Sequence, residues 1–175
     1  MSKPTDEELM HSVSHGNLDV MTSIFERYQL RIYNFFFQML HDAQICEDLT
    51  QNVFYKVIRY RHSYHGGKFV SWIFKIARNN LADHFKQQKN KQRYLDLENI
   101  KDNKVVASTN EEEITQLHLA LNKLTIEEKQ LVIMNRLQEI KYDEIAEITG
   151  KSSGAIKVKM HRILKKLRIH YFETY

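Results

Sequence analysis

The residues best able to do chemistry are cations, and they come in two blocks. Residues 151–175 hold seven Lys and Arg against one acid, and residues 75–93 hold six against one Asp. The other long segments lean acidic: eight acids and five bases over residues 1–60, nine and four over residues 111–150. A merely solvated surface mixes the signs more evenly, so the blocks point to two separate contacts with anions. In the later block, SSGAIKVKMHRILKKLR (Ser152–Arg168), closely spaced Lys and Arg suit phosphates, and Arg can also bind guanine bidentately. Net charge is +4 and the isoelectric point about 9.0, which permits a polyanionic partner.

Catalytic chemistry has no comparable signature. There is no HExxH, no P-loop and no GxGxxG following a strand. The nine His are scattered without metal-ligand spacing. Glu111–Glu113 and Glu127–Glu128 read as helix-start acids rather than paired catalytic carboxylates. A single Cys, Cys46, excludes an intramolecular disulfide framework and any Cys-based zinc site. No enzyme activity, metal or cofactor is expected.

The elements that must position the cations are helices. Five Gly and one Pro in 175 residues leave few breakers, so the expected fold is all-α. Phe25, Tyr28, Ile32, Phe35, Phe36, Met39 and Leu40 step by three and four, giving a helix with one broad buried face. His41-Asp42-Ala43 breaks it. A second helix turns Leu49, Val53, Val57 and Ile58 inward. After the loop SYHGGKF (Ser63–Phe69), which holds the only Gly-Gly, a third runs over about 70–87. Its inner face is Trp72, Ile73, Ile76, Ala77, Asn80 and Leu81. Residues 88–110 lose the helical period and read as a flexible linker. Thr109 or Asn110 caps the next helix, with Ile114, Leu117, Leu121 and Leu124 inward. Thr125 and Glu128 fit a capping box opening TIEEKQLVIMNRL. The acidic, polar start is unlike a signal peptide, and no run nears the length of a membrane span, so a soluble, cytoplasmic protein without membrane insertion is expected.

Tyr142–Arg168 combines these elements. Tyr142–Ile148 forms a short helix, Thr149-Gly150-Lys151 a turn, and Ser152 or Ser153 caps a second helix that buries Ile156, Met160, Ile163, Leu164 and Leu167. That is a helix-turn-helix with a basic second helix, whose size fits the major groove, roughly 12 Å wide. The small residues Ser153, Gly154 and Ala155 let its N-terminus approach a phosphate. An amphipathic hairpin with merely solubilising Lys and Arg is the alternative.

Read as a whole, the chain resembles a bacterial RNA polymerase sigma factor of the extracytoplasmic-function group. Three stretches carry the resemblance, in order: EDLTQNVFYKV (Glu47–Val57), similar to the polymerase-clamp-binding helix; FVSWIFKIARNNLADHFK (Phe69–Lys86), similar to the promoter-melting, minus-10 helix; and Leu121–Arg168, similar to the minus-35-binding domain. The resemblance implies a region 2 domain over residues 1–87, a linker over 88–110 and a region 4 domain over 111–175. It implies that Asp48, Gln51, Asn52 and Phe54 dock on core polymerase, with Asn52 replacing a common acid. A flipped minus-10 base would be captured by Tyr64, His65, Gly66, Gly67 and Lys68 with Asn79, Asn80, Asp83 and His84, while Lys75, Arg78 and Lys86 hold phosphates. Trp72 would be core. On the minus-35 side, Lys157, Val158, His161 and Arg162 align with base-facing positions and Ser153 and Gly154 with the helix start. Tyr142, Lys159 and Lys165 would be phosphate contacts. Lys151 stands where an apolar residue is usual, which would loosen the turn.

The implied partners are core RNA polymerase, through its beta-prime clamp and beta flap, and promoter DNA. Relatives of this group are commonly held by an anti-sigma protein, which makes an anti-sigma factor or another recruiting protein a candidate further partner. Two other readings stay open: a stand-alone helix-turn-helix transcriptional regulator, and a helical adaptor. EDLTQNVF discriminates, since a plain regulator has no need of a polymerase-docking helix.

Overall fold

The computed structural model describes the backbone of residues 3–97 and 112–172, with side chains over residues 3–91 and 117–172. Among the described residues there are eight α-helices and no strand, in line with the scarcity of breakers. The chain divides into two compact units, residues 1–107 and 108–175.

The first unit comprises α1 (Asp6–Ser14), α2 (Met21–Leu40), α3 (Ala43–Arg59) and α4 (Phe69–Leu97). Helix α3 packs against both α2 and α4, and α1 lies over α2 and the short 3₁₀ turn Arg61–Ser63. Ile24, Ile32, Phe35 and Phe36 of α2 meet Val53 and Val57 of α3 and Phe69, Ile73, Phe74 and Leu81 of α4 in a core closed to solvent. Aromatic edges lock the layers, with Phe35 and Phe74 ring centres 5.7 Å apart. The break at residues 41–43 has a clear cause. His41 takes the left-handed conformation that ends α2, and the Asp42 carboxylate accepts from the Ile45 amide at 3.0 Å to start α3.

In this first unit three features depart from the periodicity reading. Helix α1 is absent from it, although Thr5 and Glu8 cap each other reciprocally, at 3.2 and 2.7 Å. It buries Leu9, Met10 and Val13, and Asp6 fastens it to α2 by accepting from Arg27 Nη1 and Tyr28 OH, both at 2.6 Å. Helix α4 runs ten residues beyond Gln87, into the segment expected to be linker. Residues 88–91 are exposed all round, so no apolar stripe marks them, while Gln, Lys and Arg sustain a helix by propensity. Phe25, expected in the buried face of α2, is 40% exposed, at the margin of that face with its ring against Phe54.

The second unit comprises α5 (Glu112–Asn122), α6 (Ile126–Val132), α7 (Tyr142–Thr149) and α8 (Ser153–Phe172). The Thr125–Glu128 capping box opens α6, with bonds of 3.3 and 2.9 Å. Its C-terminal end widens into a π-helical turn, Ile133–Leu137, where the Gln138 amide reaches back five residues to the Ile133 carbonyl at 3.0 Å. Gly150, with φ +69°, ends α7, and Ser152 is the cap of α8, its hydroxyl accepting from the Ala155 amide at 3.2 Å. Ile145 and Ile148 pack with Ile156, Met160 and Ile163, whereas Leu164 and Leu167 are only half-buried. Leu117, expected inward, is 43% exposed. The cap expected at Thr109 or Asn110, the acids Glu111–Glu113 and the side chain of Ile114 lie outside the described residues.

Candidate nucleic-acid interface

Helix α8 keeps one face for its core and one for solvent. Gly154, Lys157, Val158, His161 and Lys165 recur at steps of three and four and are all exposed, as is Arg162 beside them. Five of the aligned side chains thus stand on one surface, flanking the glycine near the helix start. Ser153 and Tyr142 are half-buried.

Lys159 is placed differently. Its ammonium pairs with Glu127 Oε2 of α6 at 2.8 Å, and the other Glu127 oxygen receives the Lys151 ammonium. Hydrogen bonds from Lys151 and Lys159 together hold the Glu127 carboxyl at about 2, far below its ordinary 4.5. Lys166 makes a parallel bridge to Glu128 at 3.0 Å, a carboxyl already lowered by the Thr125 backbone amide. Lys159, for which the resemblance implies a phosphate contact, is therefore paired within its own domain and not free. Nor does Lys151 loosen the turn: its amide donates to Ala146 O at 3.1 Å, and its ammonium ties the turn to α6.

In the first unit, Asp48, Gln51 and Asn52 form an exposed polar edge on α3. Phe54 does not join them. It is 6% exposed and packs edge-on against Phe25, ring centres 4.8 Å apart. The loop before α4 exposes His65, Gly66, Gly67 and Lys68, and Gly66 and Gly67 have φ of +94° and +83°, which glycine alone adopts freely. Tyr64 lies beneath the loop. It is 7% exposed, its ring faces Trp72 at 5.5 Å, and its hydroxyl donates to Gly67 O at 2.7 Å. A side chain so engaged helps set the shape of the loop, and His65 is the loop's exposed ring. Glu7 of α1 braces the same region, Oε1 accepting from the Phe69 amide at 3.2 Å.

Along α4 the candidates part company. Lys75, Asn79 and Lys86 share an exposed stripe, and Arg78 is half-buried at its margin. Asn80 is 3% exposed and turns to α3, where its Oδ1 receives the Lys56 ammonium. Asp83 stands 4.0 Å from the same ammonium, and His84 is half-buried nearby. These three lie eleven to fifteen residues beyond Phe69, roughly 16–22 Å along the helix axis, so they do not complete a pocket with the loop. Sequence reasoning missed Lys56, Glu7 and Glu127. A polar Asn80 on an apolar face was the signal for Lys56; acids at helix starts gave little hint of the other two.

Residues 24–91 match the family model for Sigma-70 region 2, and residues 114–167 match that for Sigma-70, region 4. The chain is 28% identical over 162 residues to RNA polymerase sigma factor CarQ of Myxococcus xanthus, covering 91% of this chain and 93% of the relative. It is 29% identical over 157 residues to the ECF RNA polymerase sigma factor SigX of Bacillus subtilis, covering 84% and 81%. In fold it is similar to CnrH, solved with the cytosolic domain of CnrY, at a TM-score of 0.73 and 16% identity over 93% and 94% of the two chains. It is also similar to RpoE of Bartonella quintana, solved with the anti-sigma factor NepR, at 0.69 and 20% over 85% and 94%.

Proposed function

The chain belongs to the sigma-70 family of RNA polymerase sigma factors, in its extracytoplasmic-function group, and from that premise we propose that it directs core polymerase to promoters by reading minus-35 and minus-10 elements and aiding strand opening. Sigma factors are not enzymes; they are initiation factors whose partners are core RNA polymerase and promoter DNA, and the polymerase supplies the phosphoryl-transfer chemistry. In this reading residues 1–87 carry polymerase binding and minus-10 opening, 88–110 connect, and 111–175 carry minus-35 recognition.

One observation carries the reading: the solvent face of α8 is basic at its groove-facing steps while its opposite face supplies the core. Lys157, His161 and Arg162 would meet base edges, Val158 a thymine methyl, and Lys165 a phosphate. On the first unit, Lys75, Asn79 and Lys86 suit the strand leaving the duplex, with His65 and the glycine backbone at the loop. Asp48, Gln51 and Asn52 are the proposed contacts with the beta-prime clamp, and the second unit those with the beta flap. Two fold relatives were solved with proteins bound, which supports an anti-sigma factor or another recruiting protein as a further partner here. A cytoplasmic location follows from the polymerase partner; among the described residues no helix is long and apolar enough to cross a membrane.

Reconstitution tests the reading. The full chain added to core polymerase should give initiation from particular promoters that core alone does not use, and Asn79→Ala should impair initiation on duplex more than on premelted template. Binding to DNA without any association with core polymerase would point instead to a stand-alone regulator.

A further inference from the structure

Asp48 and Asn52 of α3 face Asn80, Asp83 and His84 of α4 across a cleft of about 250 Å³, also lined by Lys56. Asn80 is 3% exposed and spends its carbonyl oxygen on the Lys56 ammonium, which leaves both hydrogens of Nδ2 without a partner and out of solvent. His84 Nε2 is likewise buried and unpartnered. A buried polar group left without a partner costs free energy, so two in one polar cleft mark a place suited to a partner of matching chemistry. The inner groups are all donors or can be: the amide, the ammonium, and an imidazole nitrogen able to carry the proton. They fit acceptor oxygens bearing negative charge. A DNA phosphate is disfavoured, because Asp48 and Asp83 stand exposed at the rim and would repel a polyanion. A protein segment suits both features: an acidic side chain entering the cleft, and a basic neighbour meeting the rim carboxylates.

We propose that this cleft receives a carboxylate side chain of the polymerase subunit docked on α3, so that the contact continues from Asp48 and Asn52 across onto α4. The inference rests on the reading of α3 as the polymerase-facing helix. It assigns Asn80 and His84 to the protein partner rather than to a flipped base. Lys56 is the positioning residue, fixing the Asn80 amide by its oxygen.

The test measures binding of the full-length chain to core polymerase, with Asp48→Arg as reference. Asn80→Leu keeps the volume and removes both donors. It is expected to weaken core binding about tenfold, the loss of a charge-assisted bond, without lowering Tm. Should Asn80→Leu fold poorly, Lys56→Gln, which can still donate to Asn80 but carries no charge, is expected to weaken core binding to a similar degree. Unchanged core binding by these variants, with Asp48→Arg impaired, overturns the inference and leaves the α3 reading standing; the cleft then holds only water. Unchanged binding by all three, Asp48→Arg included, overturns both. Weaker binding to a premelted promoter with core binding intact also overturns the inference, since the cleft would then belong to DNA.

Discussion

Glu127 pairs with two cations of the helix-turn-helix, and releasing them should be visible in DNA binding. The perturbation is Glu127→Gln, which keeps the shape and one acceptor oxygen but removes the charge and the second acceptor. The three side chains are 32–43% exposed, so each ion pair is screened. Exposed pairs contribute about 0.2–1 kcal/mol each, so the variant should lose about 0.4–2 kcal/mol, a Tm lower by a few degrees. The loss depends on pH. With the folded carboxyl at about 2 against an ordinary 4.5, the stabilisation is complete above 4.5 and is lost as pH falls towards 2. Parent and variant should therefore converge in Tm through that window.

Against this cost stands a gain in DNA binding. Lys159 freed from Glu127 can neutralise one more phosphate, steepening the salt dependence of log K by about 0.9 and adding a roughly 3.5-fold loss between about 50 and 200 mM salt. Removing an acid near DNA also raises affinity generally, so slope alone is ambiguous. Lys159→Ala resolves it. In the parent, where Lys159 is already paired, that substitution should change the slope little; in the Glu127→Gln background it should lower it by about 0.9. The assay is titration of a minus-35 duplex across salt for the four proteins. A full unit lost on Lys159→Ala in the parent would refute the reasoning, because Lys159 would then leave Glu127 for phosphate without help.

Three shorter predictions follow from burial. Phe54→Ala should cost about 3–5 kcal/mol of stability, so any loss of polymerase binding would track its Tm, whereas Gln51→Ala should weaken binding with Tm unchanged. Tyr64→Phe, which removes only the bond to Gly67 O, should cost about 0.5–1.5 kcal/mol by denaturant titration and reduce minus-10 opening more than minus-35 binding. Lys129 is buried, its ammonium donates to Asn122 Oδ1 at 2.9 Å, and burial lowers its pKa. The unfolded chain thus holds that proton more tightly, stability rises with pH as the folded group titrates, and Lys129→Met should abolish that alkaline rise without lowering Tm at neutral pH.

Much of the fold could be read from local chemistry. The Thr125–Glu128 box, the glycine ending α7 and the three-four steps of Ile156, Met160 and Ile163 each have a cause contained within a few residues. Helix α1 had such a cause too, in Thr5 and Glu8, but its three apolar residues make a short stripe that needs α2 to bury it. At the site, side-chain type and period pointed different ways. Phe54 continues the steps Cys46, Thr50, Val57, all buried, so its spacing placed it in the core even as its ring suggested an anchor. Tyr64 carried no such period, being in a loop, and only the Gly67 carbonyl above it reveals its role. Ion pairs such as Lys159–Glu127 join residues far apart in the chain and leave no local trace.

The 29 residues of α4 show why one stretch resists a single functional label. At 1.5 Å per residue the helix is about 43 Å long, and each residue turns about 100° from the last. Ile73, Ala77 and Leu81 spend one sector on the core, Lys75, Asn79 and Lys86 hold a second in solvent, and Asn80 and His84 point a third at α3. Neighbours in sequence such as Asn79 and Asn80 therefore serve different surfaces, and a motif quoted as one string mixes them. Alanine scanning along α4 should accordingly sort by sector and not by position: stability for the first, promoter opening for the second, polymerase affinity for the third. Asn79→Ala and Asn80→Leu, adjacent and chemically alike, are the sharpest pair. If both lower promoter opening with core affinity intact, the sectors are not separate in function, and α4 acts as one DNA-binding rod.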